Sequence, residues 1–555
     1  MPTNIAAFLP EMAQTRPHAP AIIFPAGYDA QGQRAYTHYT YAQLNAESDA
    51  IARGLALSGV GRGVRTALMV RPSLEFFALT FGLFKAGVVP IMVDPGIGAR
   101  RVKACLAEAA PEAFIGIPVA HVARLLLGWG RGTIRRCVTV GRRWGWGGTT
   151  LAALKAAGRA AIASEGGYSM AETEGDETAA ILFTSGSTGV PKGVVYGHRH
   201  FIAQVELIRA TYGIEPGEID LPTFPLFALF DPALGMTTVV PDMDPTRPAA
   251  VDPKRIIEAI EDFGVTNLFG SPALLETVSR HCVNHNVRFP SLKRVISAGA
   301  PVPAVLHERM AQVLPEGAQV HTPYGATECL PVATVSSADI LSGAAERTAM
   351  GGGVCVGRPV APNTVAVIEI DDAPLATWAD IKEVPPGTIG EIIVRGPTTT
   401  QSYFNRERST VLAKIAAPDG GDHFHRMGDV GYFDPEGRLW FCGRKSQRVR
   451  TAEGPRFTTQ IEMVFNQHPD VFRTALVGVG PKGTQRPVVC VELEKGVVEG
   501  RKQAIVAALK VLAEACPVTR GIDTFLFHSG FPVDVRHNAK IGREALGRWA
   551  EKVLS

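Results

Sequence analysis

Ten residues constrain this chain more than any others: Thr184-Ser185-Gly186-Ser187-Thr188-Gly189-Val190-Pro191-Lys192-Gly193. They follow an apolar run, residues 179–183, that reads as a buried strand. Glycines let the backbone bend so that successive N–H groups point at one anion. Ser185, Ser187 and Thr188 add short donors, and Lys192 adds a point charge. The chemistry this suits is the holding of a polyphosphate. The stretch is not a Walker A loop, because Pro191 stands where that motif needs its second glycine, counted from Gly186. A surface Gly/Ser turn is the alternative reading, and the terminal Pro-Lys-Gly argues against it.

A chain of 555 residues is too long for one ordinary core, so two or more domains are expected. Hydrophobic content of 46% with 20% charged residues describes a globular protein rather than a disordered one. The net charge of +3 gives no argument for nucleic acid or an anionic membrane as a partner. Eight cysteines are scattered singly, with no CxxC and no Cys/His cluster, which points to reduced thiols in a cytoplasmic setting. No signal peptide opens the sequence. The most apolar stretch, residues 74–93, is interrupted by Glu75, Lys85 and Pro90, so it reads as a buried helix and strand, not as a transmembrane segment.

Helix-like and strand-like pieces alternate through residues 1–180. Residues 41–57, 73–86, 102–110 and 119–127 have helical spacing; residues 64–70, 88–93 and 113–117 read as strands. Strand–helix–strand at these lengths implies right-handed parallel crossovers. Residues 141–150 mix two arginines, two tryptophans and several glycines; a nucleic-acid or anion site is one reading, and a surface loop with its tryptophans folded onto the body is favoured because no wider basic face accompanies it. Residues 194–360 repeat the alternation, so two doubly wound subdomains are expected. From about 360, short strands parted by Pro/Gly turns suggest a small β-rich unit. A boundary near 443 gives domains 1–443 and 444–555, the second a small α/β domain.

Four further stretches carry chemistry. Tyr324-Gly325-Ala326-Thr327-Glu328 offers an aromatic face for a base, a hydroxyl for a phosphate and a carboxylate for Mg²⁺, although a surface glutamate after a glycine turn is commonplace. Asp429, between Gly428 and Gly431, could accept both hydroxyls of a ribose or simply form a turn. Gly443-Arg444-Lys445-Ser446 lies at the domain boundary, where a hinge belongs. Lys540, in Asn538-Ala539-Lys540-Ile541-Gly542-Arg543, would by itself be an ordinary surface residue.

In this order the five motifs resemble the adenylate-forming superfamily of acyl- and aryl-CoA synthetases, peptide-synthetase adenylation domains and luciferases, across nearly the whole chain. The resemblance implies that fold: a large N-terminal domain of two doubly wound α/β subdomains and a β-rich subdomain, then a mobile C-terminal lid. It implies ATP and Mg²⁺ as cofactors. Thr184, Ser185, Gly186, Ser187, Thr188, Gly189 and Lys192 would hold the β- and γ-phosphates. Gly299, Ala300 and Pro301 would line the adenine, with Tyr324 and Gly325 against it. Thr327 would touch the α-phosphate, Glu328 would hold the metal, and Asp429 and Arg444 would bind the ribose. Lys540 would bridge the carboxylate and the α-phosphate, making Lys540, Glu328, Thr184 and Lys192 the catalytic group. Ser446 would be the hinge.

Three departures narrow the match. Ala228 replaces the histidine of a Pro-Leu-Phe-His stretch, Thr322 replaces an aromatic or amide, and residues 450–462 alter the loop that builds the thioester site of CoA ligases. With residues 223–235 and 241–248, these departures resemble one branch, the β-lactone synthetases of bacterial long-chain olefin biosynthesis. That resemblance implies a long-chain 2-alkyl-3-hydroxy acid as substrate, adenylated and then closed by its own 3-hydroxyl, and companion olefin-biosynthesis enzymes as assembly partners. A fatty acyl-CoA or acyl-AMP ligase is the alternative. Phe224, Phe227, Ala228 and Phe230 are the candidate acyl pocket, with plain core as the rival reading. His198 and His200 are candidate bases for the hydroxyl proton, or structural histidines.

Overall fold

The computed structural model describes residues 2–184, 191–533 and 541–555. Two large sheets organise it. The first has seven strands: Thr149–Thr150, Arg136–Thr139, Ala113–Gly116, Arg65–Met69, Val89–Val93 and Thr178–Thr184 run parallel, and Lys192–Gly197 closes one edge antiparallel. Helices Tyr41–Leu57, Leu74–Lys85 and Leu151–Glu165 pack together on one face. They approach closely because glycines meet there: a Cβ on Gly158 would stand 1.9 Å from the carbonyl oxygen of Ala50. On the other face, Val102, Cys105 and Leu106 of helix Ala99–Ala109, with Trp129, share a core with Ile91 and Phe183.

Local signals explain the elements that match expectation. Helix Tyr41–Leu57 starts at a capping box, with the Thr40 hydroxyl accepting from Gln43 N and the Gln43 side chain accepting from Thr40 N. Helix Leu74–Lys85 is capped by Ser73 and is almost wholly buried, as an all-round apolar helix must be. Its Lys85, 1% exposed, is neutralised by Asp49 at 2.6 Å. No helix among the described residues is long and apolar enough to cross a membrane. All eight cysteines are free thiols, seven of them buried.

The second sheet is larger than expected. Strands Thr237–Val239, Ile219–Pro222, Asn267–Phe269, Arg294–Ile296 and Gln319–Ala326 run parallel. An N-terminal hairpin, Pro20–Tyr28 with Arg34–Thr40, extends one edge. At the other edge Cys329–Ser336 folds back antiparallel and joins Val354–Pro359 through Ala333 and Thr334. The β-rich strands from 354 to 444 thus continue this sheet rather than standing apart. Beyond them lie a two-stranded ribbon, Val449–Thr451 with Gly454–Arg456, and a three-stranded sheet, Val471–Val479, Arg486–Leu493 and Phe525–Phe527. Helices Thr458–Phe465, Lys502–Ala515 and Arg543–Leu554 pack on that sheet. This part rests on residues 348–352: Gln460 Nε2 donates to Gly351 O at 3.0 Å, and Cys516 Sγ to Met350 O at 3.2 Å.

The 141–148 loop divides its tryptophans. Trp146 stacks on His121, centroids 5.1 Å apart, and donates to Thr139 Oγ1 at 2.9 Å, whereas Trp144 is 61% exposed.

Candidate active site

Parallel α/β sheets bind ligands outside the carboxyl ends of their strands. Here those ends in both sheets border one cleft of about 1830 Å³. Residues following Arg65–Met69 and Val89–Val93 line it from the first sheet. Thr223, Ser271 and Gly299, which follow three parallel strands of the second sheet, line it from the other side.

One end of the cleft is polar. Asp429 and Arg444 are direct cross-strand neighbours in the pair Phe424–Phe433 and Leu439–Arg444. Arg444 Nη1 stands 2.9 Å from Asp429 Oδ1, and the Tyr324 hydroxyl donates to Asp429 Oδ2 at 2.7 Å. Asp429 is buried, and burial pushes its carboxyl up while Arg444 opposes that shift. The same carboxylate raises the Arg444 guanidinium. Beyond its ion pair with Arg444, Asp429 Oδ1 accepts no hydrogen bond among the described residues, so a residue with spare acceptor capacity lines the cleft.

Tyr324 lies near the end of strand Gln319–Ala326, and the two-residue turn that follows, Thr327-Glu328, carries the expected carboxylate. Gly325 is required in that turn region, since a Cβ there would come within 2.7 Å of Cys329 O. Glu328 Oε1 accepts from the Tyr403 hydroxyl at 2.5 Å. Lys192 Nζ lies over the Tyr403 ring, 4.6 Å from its centre. Tyr403 therefore connects Lys192 to Glu328. It gets there because Phe404 N donates to Gly193 O at 2.7 Å, pinning its segment to the edge strand Lys192–Gly197. The Thr327 carbonyl accepts from the Tyr196 hydroxyl. Behind Glu328, buried Lys414 donates to Thr400 O, and burial lowers its ammonium to about 8. Gly299, Ala300, Pro301, Thr327 and Ser446 also line the cleft. Ser446 sits in the short turn Lys445–Gln447, and Lys445 is held by Glu391 at 2.9 Å.

The backbone of Thr184 ends strand Thr178–Thr184, paired with Lys192. Ser185, Gly186, Ser187, Thr188, Gly189 and Lys540 lie outside the described residues.

The other end is aromatic. Phe227 stacks on Phe269 with centroids 4.2 Å apart, and Phe224 lies 5.5 Å from Phe227. Phe201 stacks on Tyr196 at 4.6 Å and approaches Phe230 and Phe84. Phe224, Phe227, Ala228 and Phe230 all line the cleft while packing on the main core, so pocket and core are the same wall. His198 and His200 do not line it. His198 Nδ1 accepts from Ile5 N at 3.2 Å and His200 Nδ1 from Gly197 N at 2.8 Å, and burial lowers both imidazoles to about 4. They are structural.

Two residues that the sequence did not announce line the site, Tyr403 and Gln204, and a third, Lys414, lies behind it. Tyr403 and Lys414 come from a segment with no motif. Gln204, one helical turn from Phe201, donates to Leu330 O at 3.2 Å and leaves its Oε1 buried without a hydrogen-bond partner. Thr322 Oγ1, on the cleft wall, is likewise unpartnered among the described residues.

Two doubly wound halves meet at this cleft, and a carboxylate–guanidinium pair lies at one end of it. The model of the AMP-binding enzyme family matches residues 9–404, and the chain belongs to it. The amide bond synthetase McbA of Marinactinospora thermotolerans has the same fold, with a TM-score of 0.78 at 21% identity over 98% of this chain and 99% of that one. Within the family, the chain is 57% identical to the olefin beta-lactone synthetase of Stenotrophomonas maltophilia, over 100% of this chain and 99% of that protein. It is 55% identical to the olefin beta-lactone synthetase of Xanthomonas campestris pv. campestris, over 99% and 97%. The chain is an AMP-forming, acid-activating enzyme of the olefin β-lactone synthetase branch.

Proposed function

We propose that the chain adenylates a long-chain 2-alkyl-3-hydroxy acid with ATP and then closes it to a β-lactone, releasing pyrophosphate and AMP. The observation that carries this reading is the continuity of the cleft. Asp429 and Arg444 at one end and Phe224, Phe227 and Phe230 at the other line a single space, so an activated carboxyl and its own alkyl chains share one chamber.

In this reading the Asp429 carboxylate, whose Oδ1 is engaged only by the ion pair with Arg444, accepts from the ribose hydroxyls, and Arg444 favours its ionised form. Tyr324, Gly299, Ala300 and Pro301 border the adenine. Lys192 and the segment beginning at Thr184 hold the β- and γ-phosphates, and Lys540 spans the carboxylate and the α-phosphate. Among the described residues no group of three or more His, Cys, Asp or Glu could hold a metal ion. The donor set fits an ion that prefers one carboxylate plus phosphate oxygens, so Glu328 would hold Mg²⁺. Bound there, the ion would offset charge on the phosphates. Tyr403 orients the Glu328 carboxylate for that task, and Lys414 braces Thr400, which in turn hydrogen-bonds the Glu328 carbonyl.

A substrate carboxylate oxygen attacks the α-phosphorus, and the bond to pyrophosphate breaks. Both partners are anionic, so the cations around them stabilise the developing charge. The 3-hydroxyl oxygen then attacks the acyl carbonyl, the bond to AMP breaks, and the hydroxyl proton leaves to solvent or to the AMP phosphate. An intramolecular nucleophile held in place needs no second substrate. Residues 444–555 act as a lid turning about Ser446. The enzyme works in the cytoplasm and assembles with companion olefin-biosynthesis enzymes.

Incubation with ATP, Mg²⁺ and a racemic 2-alkyl-3-hydroxy acid, without CoA, tests this. A four-membered lactone seen by NMR supports the reading; a product that forms only when CoA is added overturns it in favour of a CoA ligase.

A further inference from the structure

Helix Pro118–Leu127 is apolar on two sides. Val119, Ala120 and Ala123 line the cleft. Val119, Leu125, Leu126 and Leu127 are also 59, 56, 79 and 40% exposed. Val119 does both, so the cleft opens beside this helix. The stack of Trp146 on His121 holds the 141–148 loop against the same helix, and exposed Trp144 lies 5.8 Å beyond Trp146.

Cations ring this apolar face. Lys103 Nζ would lie 3.7 Å from a Cβ on Gly128, the residue that ends the helix. Arg131, Arg142 and Arg143 are exposed on the turn and loop that flank it. Residues 96–150 carry nine Lys and Arg against two acids, Glu108 and Glu112. Both acids are already engaged from outside the segment, by Arg406 and Arg65. A net charge of +7 is thus gathered on one segment of a chain whose total is only +3, which leaves the remainder net negative.

We propose that this face docks on a bilayer surface rich in anionic phospholipid, with helix Pro118–Leu127 lying in the headgroup plane and the cleft mouth at Val119 turned toward the acyl layer. Exposed leucine and tryptophan ringed by Lys and Arg are the composition of an interfacial helix, and an apolar patch of this kind on a soluble fold marks an interaction site. Docking places the aromatic end of the cleft beside the medium in which long alkyl chains dissolve. That route for substrate and product rests on the function proposed above; the docking does not.

Flotation of the full chain with vesicles tests the proposal, using phosphatidylglycerol and phosphatidylcholine in equal parts against phosphatidylcholine alone. The chain floats with the anionic vesicles, and binds at least about tenfold more weakly to the neutral ones and in ~0.5 M salt. The double variants Leu125→Asp/Leu126→Asp and Arg142→Glu/Arg143→Glu each weaken anionic binding at least about tenfold. Both keep pyrophosphate release from a short-chain, water-soluble 2-alkyl-3-hydroxy acid within about twofold of the parent, which shows that they fold. The proposal is overturned if the parent does not float, or if either variant floats as the parent does. It is also overturned if the leucine variant instead splits an oligomer or releases a protein partner while vesicle binding is absent throughout. A chain that floats but makes no lactone loses the proposed function and keeps the docking surface.

Discussion

The two ends of the cleft are built by different physics. At the polar end every side chain is fixed by a directional partner: Tyr324 by Asp429, Asp429 by Arg444, Glu328 by Tyr403. Removing one member strands a buried charge or donor, and the penalty is steep. At the aromatic end Phe224, Phe227, Phe230 and Phe201 are held by packing alone. Loss of one ring there leaves a cavity and a looser fit, not an unpaired charge. In the proposed function the first end governs whether chemistry occurs, and the second governs which acid undergoes it.

The largest effect expected is at Glu328. Glu328→Ala lowers the rate of pyrophosphate release by about 10²–10³, the usual cost of losing one transition-state charge. A change below about threefold would separate Glu328 from the metal role. Asp429→Ala comes next. It leaves Arg444 unpaired and raises the KM for ATP by about 10–10², with the acyl-chain preference unaltered. A shift in that preference would mean that the two ends are not independent.

Phe227→Ala tests the other end. Loss of its stack on Phe269 raises the KM for a long-chain acid by about tenfold and leaves short-chain acids and the KM for ATP unchanged. Equal losses for short and long acids would make Phe227 plain core.

Beneath the aromatic wall lies a titrating pair. Asp231 follows Phe230 directly and accepts from Thr238 Oγ1 at 2.8 Å. Burial raises this carboxyl and that of Asp220, which is pushed up to about 7; Asp220 raises Asp231 further, whereas the hydrogen bond from Asp231 works to lower Asp220. The unfolded chain releases these protons near pH 4, and the folded chain keeps them longer. Stability therefore falls as pH rises from about 4 to 7. Urea midpoints at about pH 4 and about pH 8 measure the fall. Asp231→Asn removes about 1–3 kcal/mol of it; parallel curves for parent and variant would show that the pair does not titrate this way.

The smallest effect concerns the lid. Arg448 donates to Asp372 at 2.9 Å, and Arg450 also contacts that half-exposed carboxylate. Exposed ion pairs are weak, so Asp372→Asn shifts kcat by under about fivefold. A larger change would make this tether, rather than the turn at Ser446, the element that limits the proposed lid motion of residues 444–555.

The polar end was legible because its residues sit in short local motifs, and strand pairing makes neighbours of Asp429 and Arg444, which are close in sequence. Tyr403 was not legible. It carries no motif, and only the edge pairing of its segment with Gly193 brings it to Glu328. The N-terminal hairpin escaped notice for a similar reason: the parallel partner of Pro20–Tyr28 is Thr237–Val239, some two hundred residues on. The continuation of the second sheet into the β-rich strands hangs on two residues, Ala333 and Thr334, that no spacing singles out. The 118–127 helix was visible as a helix, but the exposure of its leucines was not, because periodicity reveals an apolar face and not what covers it. The basic face was hidden in the same way, since its cations come from several elements and average away in the whole chain.

The central claim is that the adenylate formed at the polar end is intercepted by the hydroxyl of its own acyl group. The most direct measurement is the time course of pyrophosphate release with a 3-deoxy analogue of the long-chain acid in excess over enzyme, in ATP and Mg²⁺ without CoA. The account predicts a burst of about one pyrophosphate per active site, then a stall with acyl-adenylate bound, because the intramolecular nucleophile is missing. Steady turnover of the deoxy acid at the rate of the hydroxy acid would contradict it.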